Sequence, residues 1–250
     1  MSRFLFLVFA TSIATTSVAA ADPAAHARAE AARARLDERG ALRIYEQAVA
    51  ADSSDLESLW NASYLASSLG TRAKARDPVL AARGRALADA AVRRFPQRAE
   101  ARFVMAVTLA LNMDGSNPSQ AVEQSKQLRR WIGATLEKDP AHPGANYLLG
   151  RWRFAFATLN PIKALAVRTM LGGIPAEATL VGAEEAFRKA VASRPQEPLY
   201  HLDLAETLVE QGKRAEAMRI LKGAKDLPPL SGADAGNLRK VRELLRELES

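Results

Sequence analysis

The chain contains no cysteine and few aromatic residues, and both shortages narrow its class. The absence of cysteine excludes a disulfide framework, a zinc site built of thiolates, a thiol nucleophile and a lipid-modified cysteine behind an export signal. Only 6% of the 250 residues are aromatic, whereas 48% are hydrophobic and 50 are alanine. Because alanine favours helices and lets them approach closely, the composition predicts an all-α protein.

Acidic residues are fewer than basic ones, which gives a formal net charge of +7. Such a charge attracts nucleic acid and anionic lipid. The basic residues are nevertheless interspersed with Asp and Glu, and no run of five or more basic residues occurs. We therefore expect a generally basic, solvated surface and no nucleic-acid partner.

Long apolar stretches are absent beyond the N-terminus, where residues 1–21 have the pattern of a cleavable secretory signal. Arg3 gives a positive start, residues 4–18 are mainly apolar, and alanines at 19–21 precede Asp22. The apolar run falls short of the ~20 residues that a spanning helix needs. We expect cleavage after Ala21 and a soluble mature chain, residues 22–250, in the periplasm or outside the cell, with no integral membrane span. An uncleaved N-terminal anchor is the alternative.

An internal repeat occupies the C-terminal half. Four residues recur at the same offsets one repeat later, and between the two copies stand a Leu–Ala pair at the position of the repeat's L-G pair, a large apolar residue and a turn glycine. This pattern is typical of the tetratricopeptide repeat, a helix–turn–helix unit of 34 residues. The recurring residues are Ala183, Phe187, Ala190 and Pro195, then Ala217, Leu221, Ala224 and Pro229, and those between are Leu204, Ala205, Leu208 and Gly212.

Looser copies place the ends of the repeats near residues 53, 96, 140, 195 and 229. The longest interval, before residue 195, predicts an insertion at about 158–179 that contains an apolar and basic helix. The insertion lies on a binding face or caps the adjoining repeats. A leucine stripe predicts a capping helix at about 235–249. The expected domain, residues 22–250, is an all-α, tetratricopeptide-like right-handed superhelix of antiparallel helix pairs with this C-terminal capping helix.

Three segments form a more specific pattern. NYLLGRWRF at 146–154 is followed by LGGIPAEAT at 171–179 and AEEAF at 183–187. Together they resemble the regulator of microtubule dynamics family, in which an LLGRW segment precedes a Gly/Pro-rich turn, an ATxxEA segment and the final repeats. The resemblance covers residues 35–249 and is strongest over residues 146–190. Arg153 and Ile174 depart from the family pattern.

The resemblance implies a repeat domain that binds partners and has no catalytic residues. One member of the family associates with microtubules and spindle poles, and another tethers organelles and has been linked to phospholipid binding. An export signal would separate this chain from microtubules. Microtubule association is therefore the expectation only if the chain is eukaryotic and not exported.

Motifs for catalysis or metal binding are lacking. The glycine pair at 172–173 has neither the lysine nor the hydroxyl of a phosphate-binding loop, and no G-x-S-x-G or H-E-x-x-H occurs. The three histidines lie far apart, with no carboxylate at metal-ligand spacing. We predict no enzymatic activity, no cofactor and no metal. The histidines are His26, His142 and His201.

The first helix of each repeat is expected to line a concave groove. The residues at the lining offsets are mostly apolar, so we expect an apolar or extended ligand, with Arg151 offering charge to an anionic group. The leading interpretation is a non-catalytic scaffold that binds a protein or peptide, and the alternative is a carrier or tether for lipid or another hydrophobic ligand. The insertion or the terminal helix could instead fill the groove. The candidate groove residues are Asn61, Phe103, Val107, Tyr147, Arg151, Phe154, Leu202 and Glu206.

Overall fold

Helices are the regular secondary structure of the residues that the structure describes. The structure is a computed structural model, and it describes residues 23–72, 77–113, 118–171, 173–229 and 232–250. The predicted signal segment, residues 1–21, and Gly172 of the glycine pair at 172–173 lie outside these ranges. The all-α prediction is confirmed. The helices of the described part are α1 (Pro23–Ala34), α2 (Glu38–Ala51), α3 (Leu56–Arg72), α4 (Pro78–Arg94), α5 (Ala99–Asn112), α6 (Pro118–Lys138), α7 (Pro143–Ala157), α8 (Pro161–Leu171), α9 (Leu180–Ser193), α10 (Pro198–Glu210), α11 (Arg214–Ala224) and α12 (Gly232–Glu249).

The described helices form two compact units, residues 23–138 and residues 139–250. In the first unit α1 packs on α2, α3 on α4, and α5 on α6. In the second unit α7 packs on α9, α10 packs on α11, and α12 packs on both helices of that last pair. Four of the predicted repeat ends, near residues 53, 96, 140 and 195, fall in the short turns between helices. The predicted pairing of helices is confirmed.

Helix ends follow local side-chain chemistry. Asp77 precedes α4, and its carboxylate accepts hydrogen bonds from the amides of Val79 at 3.0 Å and Leu80 at 3.1 Å. Pro78 occupies the first turn, where its missing N–H costs nothing. Gly212, the predicted turn glycine after α10, has a φ of 73°, a left-handed conformation that glycine adopts without steric cost.

Small residues let α3 and α4 approach closely in the first unit. Gly84 of α4 lies against α3, where a Cβ atom would fall 2.2 Å from Ser67 Oγ and 2.9 Å from the carbonyl oxygen of Ser63. Ser63 Oγ donates a hydrogen bond of 2.8 Å to the carbonyl of Gly84, and another of 2.8 Å joins it to Thr108 Oγ1 of α5. One serine hydroxyl therefore connects three helices.

The 34-residue repeat forms much of the core of the second unit. Its small positions, Ala183, Ala190, Ala217 and Ala224, are all buried. Phe187 of α9 packs over Gly150 of α7, where an added Cβ would fall 2.6 Å from the ring. Small residues on one helix thus make room for large ones on the next, as the repeat pattern predicts.

Glu184 of α9 links this helix to the following repeat. Its carboxylate accepts hydrogen bonds from Arg188 Nε at 2.8 Å, Gln211 Nε2 at 2.9 Å and Lys213 Nζ at 2.7 Å. Burial raises the pKa of Glu184, but the hydrogen bonds from Lys213, Arg188 and Gln211 outweigh it and lower this pKa to about 2. The ionised carboxylate therefore stabilises the packing of α9 against the next repeat.

Replacing this carboxylate by an amide, Glu184→Gln, is expected to lower the free energy of unfolding by about 1–2 kcal/mol at pH 7. Because the pKa of Glu184 is lower in the folded state, its stabilisation is complete above the unfolded pKa of 4.5 and is lost as pH falls towards 2. Urea unfolding of wild type and variant should therefore converge in acid. Glu185→Gln, at an exposed position of the same helix, is the matched control. A difference between Glu184→Gln and wild type that does not depend on pH would contradict this role.

Candidate functional site

The predicted groove residues are divided between the two units, and each set is described by itself. Asn61 of α3 and Phe103 and Val107 of α5 belong to the first unit. The second unit contains the remaining five. They are Tyr147, Arg151 and Phe154 on α7, and Leu202 and Glu206 on α10.

The three candidates of the first unit are buried. Phe103 is 2% exposed, and its ring stacks on Trp60 with 6.5 Å between the ring centroids. Val107 is similarly buried, and Asn61 Nδ2 donates a hydrogen bond of 3.0 Å to the carbonyl of Glu57. These side chains offer little surface to a ligand in this conformation, and their role in a groove stays a prediction.

Two candidates of the second unit also lie in the interior. The ring of Tyr147 stacks on Tyr200 with centroids 4.8 Å apart and lies 5.8 Å from Phe187. Leu202 is buried as well. The partly exposed candidates are Arg151, Phe154 and Glu206. We call these three the α7–α10 surface, and they are the part of the predicted lining that a ligand can reach.

Arg151 has a counter-ion within the chain. Its Nη1 lies 3.2 Å from Oδ2 of Asp203, and Asp203 also forms a hydrogen bond with the side chain of Tyr147. Burial lowers the pKa of Arg151, but the charge and hydrogen bond of Asp203, together with the charges of Tyr147 and Glu206, outweigh burial and raise this pKa above the usual value. An anionic ligand would therefore compete with Asp203 for Arg151. The charge that the sequence predicts Arg151 to offer to a ligand is thus already partly compensated within the chain.

Glu206 has an unusual proton affinity. Burial and the negative charge of Asp203 raise its pKa to about 7, although the charge of Arg151 opposes this rise. The carboxyl is therefore mainly neutral in mild acid and mainly ionised above neutral pH. The charge of the α7–α10 surface thus changes near pH 7.

The raised pKa of Glu206 predicts a pH-dependent stability difference for Glu206→Gln. The unfolded side chain ionises near 4.5 and the folded one near 7, so wild type loses stability as pH rises between these values. At pH 8 the variant should be more stable than wild type by about 1–2 kcal/mol, and at pH 4 the two should be equal. Urea unfolding at both pH values measures this. Glu185→Gln, at an exposed position of α9, is the control, and a gain that is the same at both pH values would refute the assignment.

His26, isolated in the sequence, has polar neighbours in the fold. Its Nε2 lies 2.9 Å from both Asp55 Oδ2 and Ser58 Oγ, and its Nδ1 lies 3.3 Å from Glu57 Oε1. Burial lowers the pKa of His26, but Asp55 and Glu57 outweigh it and raise this pKa above 6.5. Ser58 is fully buried, so this cluster joins α1 to the start of α3 and leaves no hydroxyl open to a substrate.

A cavity of about 270 Å³ adjoins the His26 cluster between α1 and α2. Its acidic lining residues already have partners, because Asp52 accepts hydrogen bonds from Ser54 and Asp55 binds His26. The volume lies just below the usual range of about 300–1,000 Å³ for small-molecule sites. The cavity therefore does not define a ligand.

The other two histidines have local roles. His142 Nδ1 accepts a hydrogen bond of 3.1 Å from the amide of Ala145 at the start of α7, and His201 Nε2 lies 2.8 Å from the carbonyl of Pro195. Within the described ranges, no group of three His, Asp or Glu side chains could hold a metal ion. None of the helices described is both long and apolar enough to cross a bilayer.

The paired helices and the buried positions of the 34-residue repeat define a tetratricopeptide-like helical protein. The crystal structure of a thermophilic tetratricopeptide-repeat protein from Thermus thermophilus is similar, with a TM-score of 0.64 and 16% sequence identity. The similarity covers 88% of this chain and 98% of that chain. It establishes the fold class.

The family follows from the sequence match. A family model described as regulator of microtubule dynamics protein 1-3 matches residues 25–249, and the chain belongs to this family. Regulator of microtubule dynamics protein 3 of Mus musculus is 25% identical over 162 residues, and that of Rattus norvegicus is 24% identical over 162 residues. Each match covers 64% of this chain and 34% of the relative, so the chain spans about a third of the relatives' length. The predicted family is confirmed.

Proposed function

We propose that this family member is a non-catalytic interaction scaffold that binds a protein or peptide segment. The observation that supports the proposal is the α7–α10 surface. There a partly exposed aromatic ring, Phe154, shares α7 with Arg151, and Glu206 stands on α10, the first helix of the next repeat pair. Aromatic and arginine side chains are the groups that most often dominate binding energy at protein interfaces.

The charges of this surface indicate the chemistry of the bound segment. Asp203 compensates Arg151, whereas Glu206 has no such ion pair among the contacts of the described residues. We therefore expect the segment to place an apolar side chain against Phe154 and a basic group near Glu206. Because Glu206 ionises near pH 7, such a segment should bind more tightly at pH 8 than at pH 6.

The test is capture of a partner by the tagged chain from its own cell envelope, compared with variants. A stoichiometric partner that wild type captures and Phe154→Ala loses at least about tenfold supports the scaffold, since an aromatic anchor contributes roughly 2 kcal/mol or more. Arg219→Ala, at a largely exposed position on α11, is the control and should capture normally. Capture that Phe154→Ala leaves unchanged, or no stoichiometric partner at all, argues against this function.

The second candidate is a carrier of lipid or another hydrophobic ligand. Its support is the apolar sequence of the predicted lining, in which Phe103, Val107 and Leu202 occupy positions that the repeat pattern directs towards a groove. Organic extraction of the purified chain followed by mass spectrometry tests this candidate. Lipid at near one molecule per chain is the expected result, and a chain that carries none and takes up none rules the carrier out.

We also infer that the chain is exported and that residues 1–21 are removed. The support is the sequence of this segment, with its positive start, apolar run and small residues before Asp22. Mass spectrometry of the N-terminus in each cell fraction tests the inference. A chain that begins at Asp22 in the periplasmic or secreted fraction supports export. An intact N-terminus in the membrane fraction indicates an N-terminal anchor instead. An intact N-terminus in the cytoplasm makes association with microtubules the hypothesis to test.

A further inference from the structure

Helix α8 (Pro161–Leu171) has an apolar face that is open to solvent. Ile162 is 83% exposed and Leu165 is 64% exposed. Five large apolar side chains of the described residues are exposed, and only these two lie one turn apart on the same helix. No described helix of the second unit packs extensively against α8. Adjacent exposed apolar side chains of this kind commonly mark an interaction site.

The exposed face also has a consistent charge. Ile162, Leu165 and Thr169 are spaced as neighbours on one side of the helix, and Arg168 is exposed at the edge of this side. The sequence adds Lys163, and no Asp or Glu occurs from residue 160 to residue 176. The α8 face, defined here as Ile162, Leu165, Arg168 and Thr169, is therefore apolar and basic.

We propose that the α8 face binds the surface of an anionic phospholipid bilayer. At such an interface, exposed apolar side chains insert about 5–10 Å to the acyl boundary and basic groups lie at the phosphates. Ile162 and Leu165 are the inserted residues, and Arg168 is the phosphate contact. The net charge of +7 attracts the whole chain to the same surface.

The charge pattern favours a bilayer over a second copy of this chain. Two α8 faces packed together would cover their apolar residues but would also bring two sets of basic residues into proximity without any acidic residue on this helix to compensate them. An anionic bilayer accommodates the apolar residues of the α8 face in its acyl region and pairs the basic residues with its phosphates. The proposal is independent of the partner at the α7–α10 surface, and it would bring such a partner to a membrane.

The absence of cysteine allows a site-specific test in the full chain. A single Thr169→Cys variant, labelled with an environment-sensitive fluorophore, places a probe on the α8 face and retains Ile162 and Leu165. With vesicles of 70% phosphatidylcholine and 30% phosphatidylglycerol, the emission should shift to the blue, and the shift should weaken as salt is added. Vesicles of phosphatidylcholine alone should give little shift. Val79→Cys, 74% exposed on α4, is the control label and should not respond.

Two further variants separate insertion from charge. Ile162→Asp with Leu165→Asp should abolish the shift, and Arg168→Gln should weaken binding about fivefold, the usual effect of one basic residue at an anionic surface. Val181→Asp, at an exposed apolar position of α9, should bind like wild type. Circular dichroism of each variant confirms that the helices remain folded.

Three results would overturn the proposal. One is a Thr169→Cys label that stays unchanged with anionic vesicles at low salt. Another is a shift that survives Ile162→Asp with Leu165→Asp. The third is an unresponsive label in a chain that self-associates by light scattering and loses this self-association on the double substitution. That result would mean that the α8 face binds another copy of the chain. Because the label reports on α8 itself, binding by the apolar residues 4–18 does not imitate a positive result.

Discussion

Gly84→Val is expected to lower the free energy of unfolding by about 3 kcal/mol or more, towards the upper end of the penalty for overpacking a core. The first added carbon would fall 2.2 Å from Ser67 Oγ and 2.9 Å from both the amide of Ser67 and the carbonyl of Ser63. Two of these three atoms belong to the backbone of α3 and cannot rotate away. The helices must therefore separate, which also strains the hydrogen bond from Ser63 to the carbonyl of Gly84.

Urea unfolding followed by circular dichroism measures this effect. Gly223→Ala in α11 is the matched control, because no atom lies within 4 Å of the Cβ that this substitution adds. This control should be neutral or stabilising by up to about 0.5 kcal/mol, since alanine is the better helix former. A Gly84→Val protein as stable as wild type would mean that α3 and α4 do not pack as closely as the structure has them.

The sequence predicts the second unit better than the first. The 34-residue spacing places α9, α10 and α11 because small and large residues alternate at fixed offsets, and those positions are buried as expected. No residue pattern in the sequence marks helix α1 itself. Its buried face consists of Ala25, Ala29 and Ala32, and in a chain with 50 alanines such a face does not stand out from its surroundings.

The sequence predicts the candidate site less well than it predicts the fold. Helical offsets predict the direction of a side chain on its own helix, but they do not reveal what covers it, and Tyr147 and Leu202 prove to be buried. Residue spacing along the sequence also does not reveal ion pairs between helices that are far apart in the chain. Asp203 lies 52 residues from Arg151, and Asp55 lies 29 residues from His26. These partners become neighbours only when the repeats stack.

The most family-specific part of the sequence contains the α8 face and two of the three residues of the α7–α10 surface. Residues 146–190 contain Arg151 and Phe154, the whole of α8 and most of α9. The remaining repeat positions explain the fold, whereas this stretch supplies the partly exposed Phe154 and the exposed apolar and basic side chains of the α8 face. Variants in this stretch should therefore separate binding from stability, provided that the core beneath it is left intact.

Phe187→Ala shows how much that core contributes, with an expected loss of about 3–5 kcal/mol in the free energy of unfolding. The Phe187 ring is almost fully buried, lies 5.8 Å from the ring of Tyr147 and covers Gly150. Its removal leaves a cavity between α7 and α9 directly beneath Tyr147. Urea unfolding measures the loss, and a change below about 1 kcal/mol would contradict the interior position of the ring.

A double-mutant cycle with Gly150→Ala tests the same packing more sharply. In wild type the added methyl carbon would fall 2.6 Å from Phe187 Cε1, so Gly150→Ala should cost about 1–3 kcal/mol. In the Phe187→Ala background the methyl group enters vacated space, and this cost should disappear, which gives a coupling energy of at least about 1 kcal/mol. Leu221→Ala, a buried substitution on α11, is the control second site and should be additive with Gly150→Ala within about 0.5 kcal/mol. Additivity for the Phe187 pair as well would mean that the ring does not rest on Gly150 and that another contact fixes the spacing of α7 and α9.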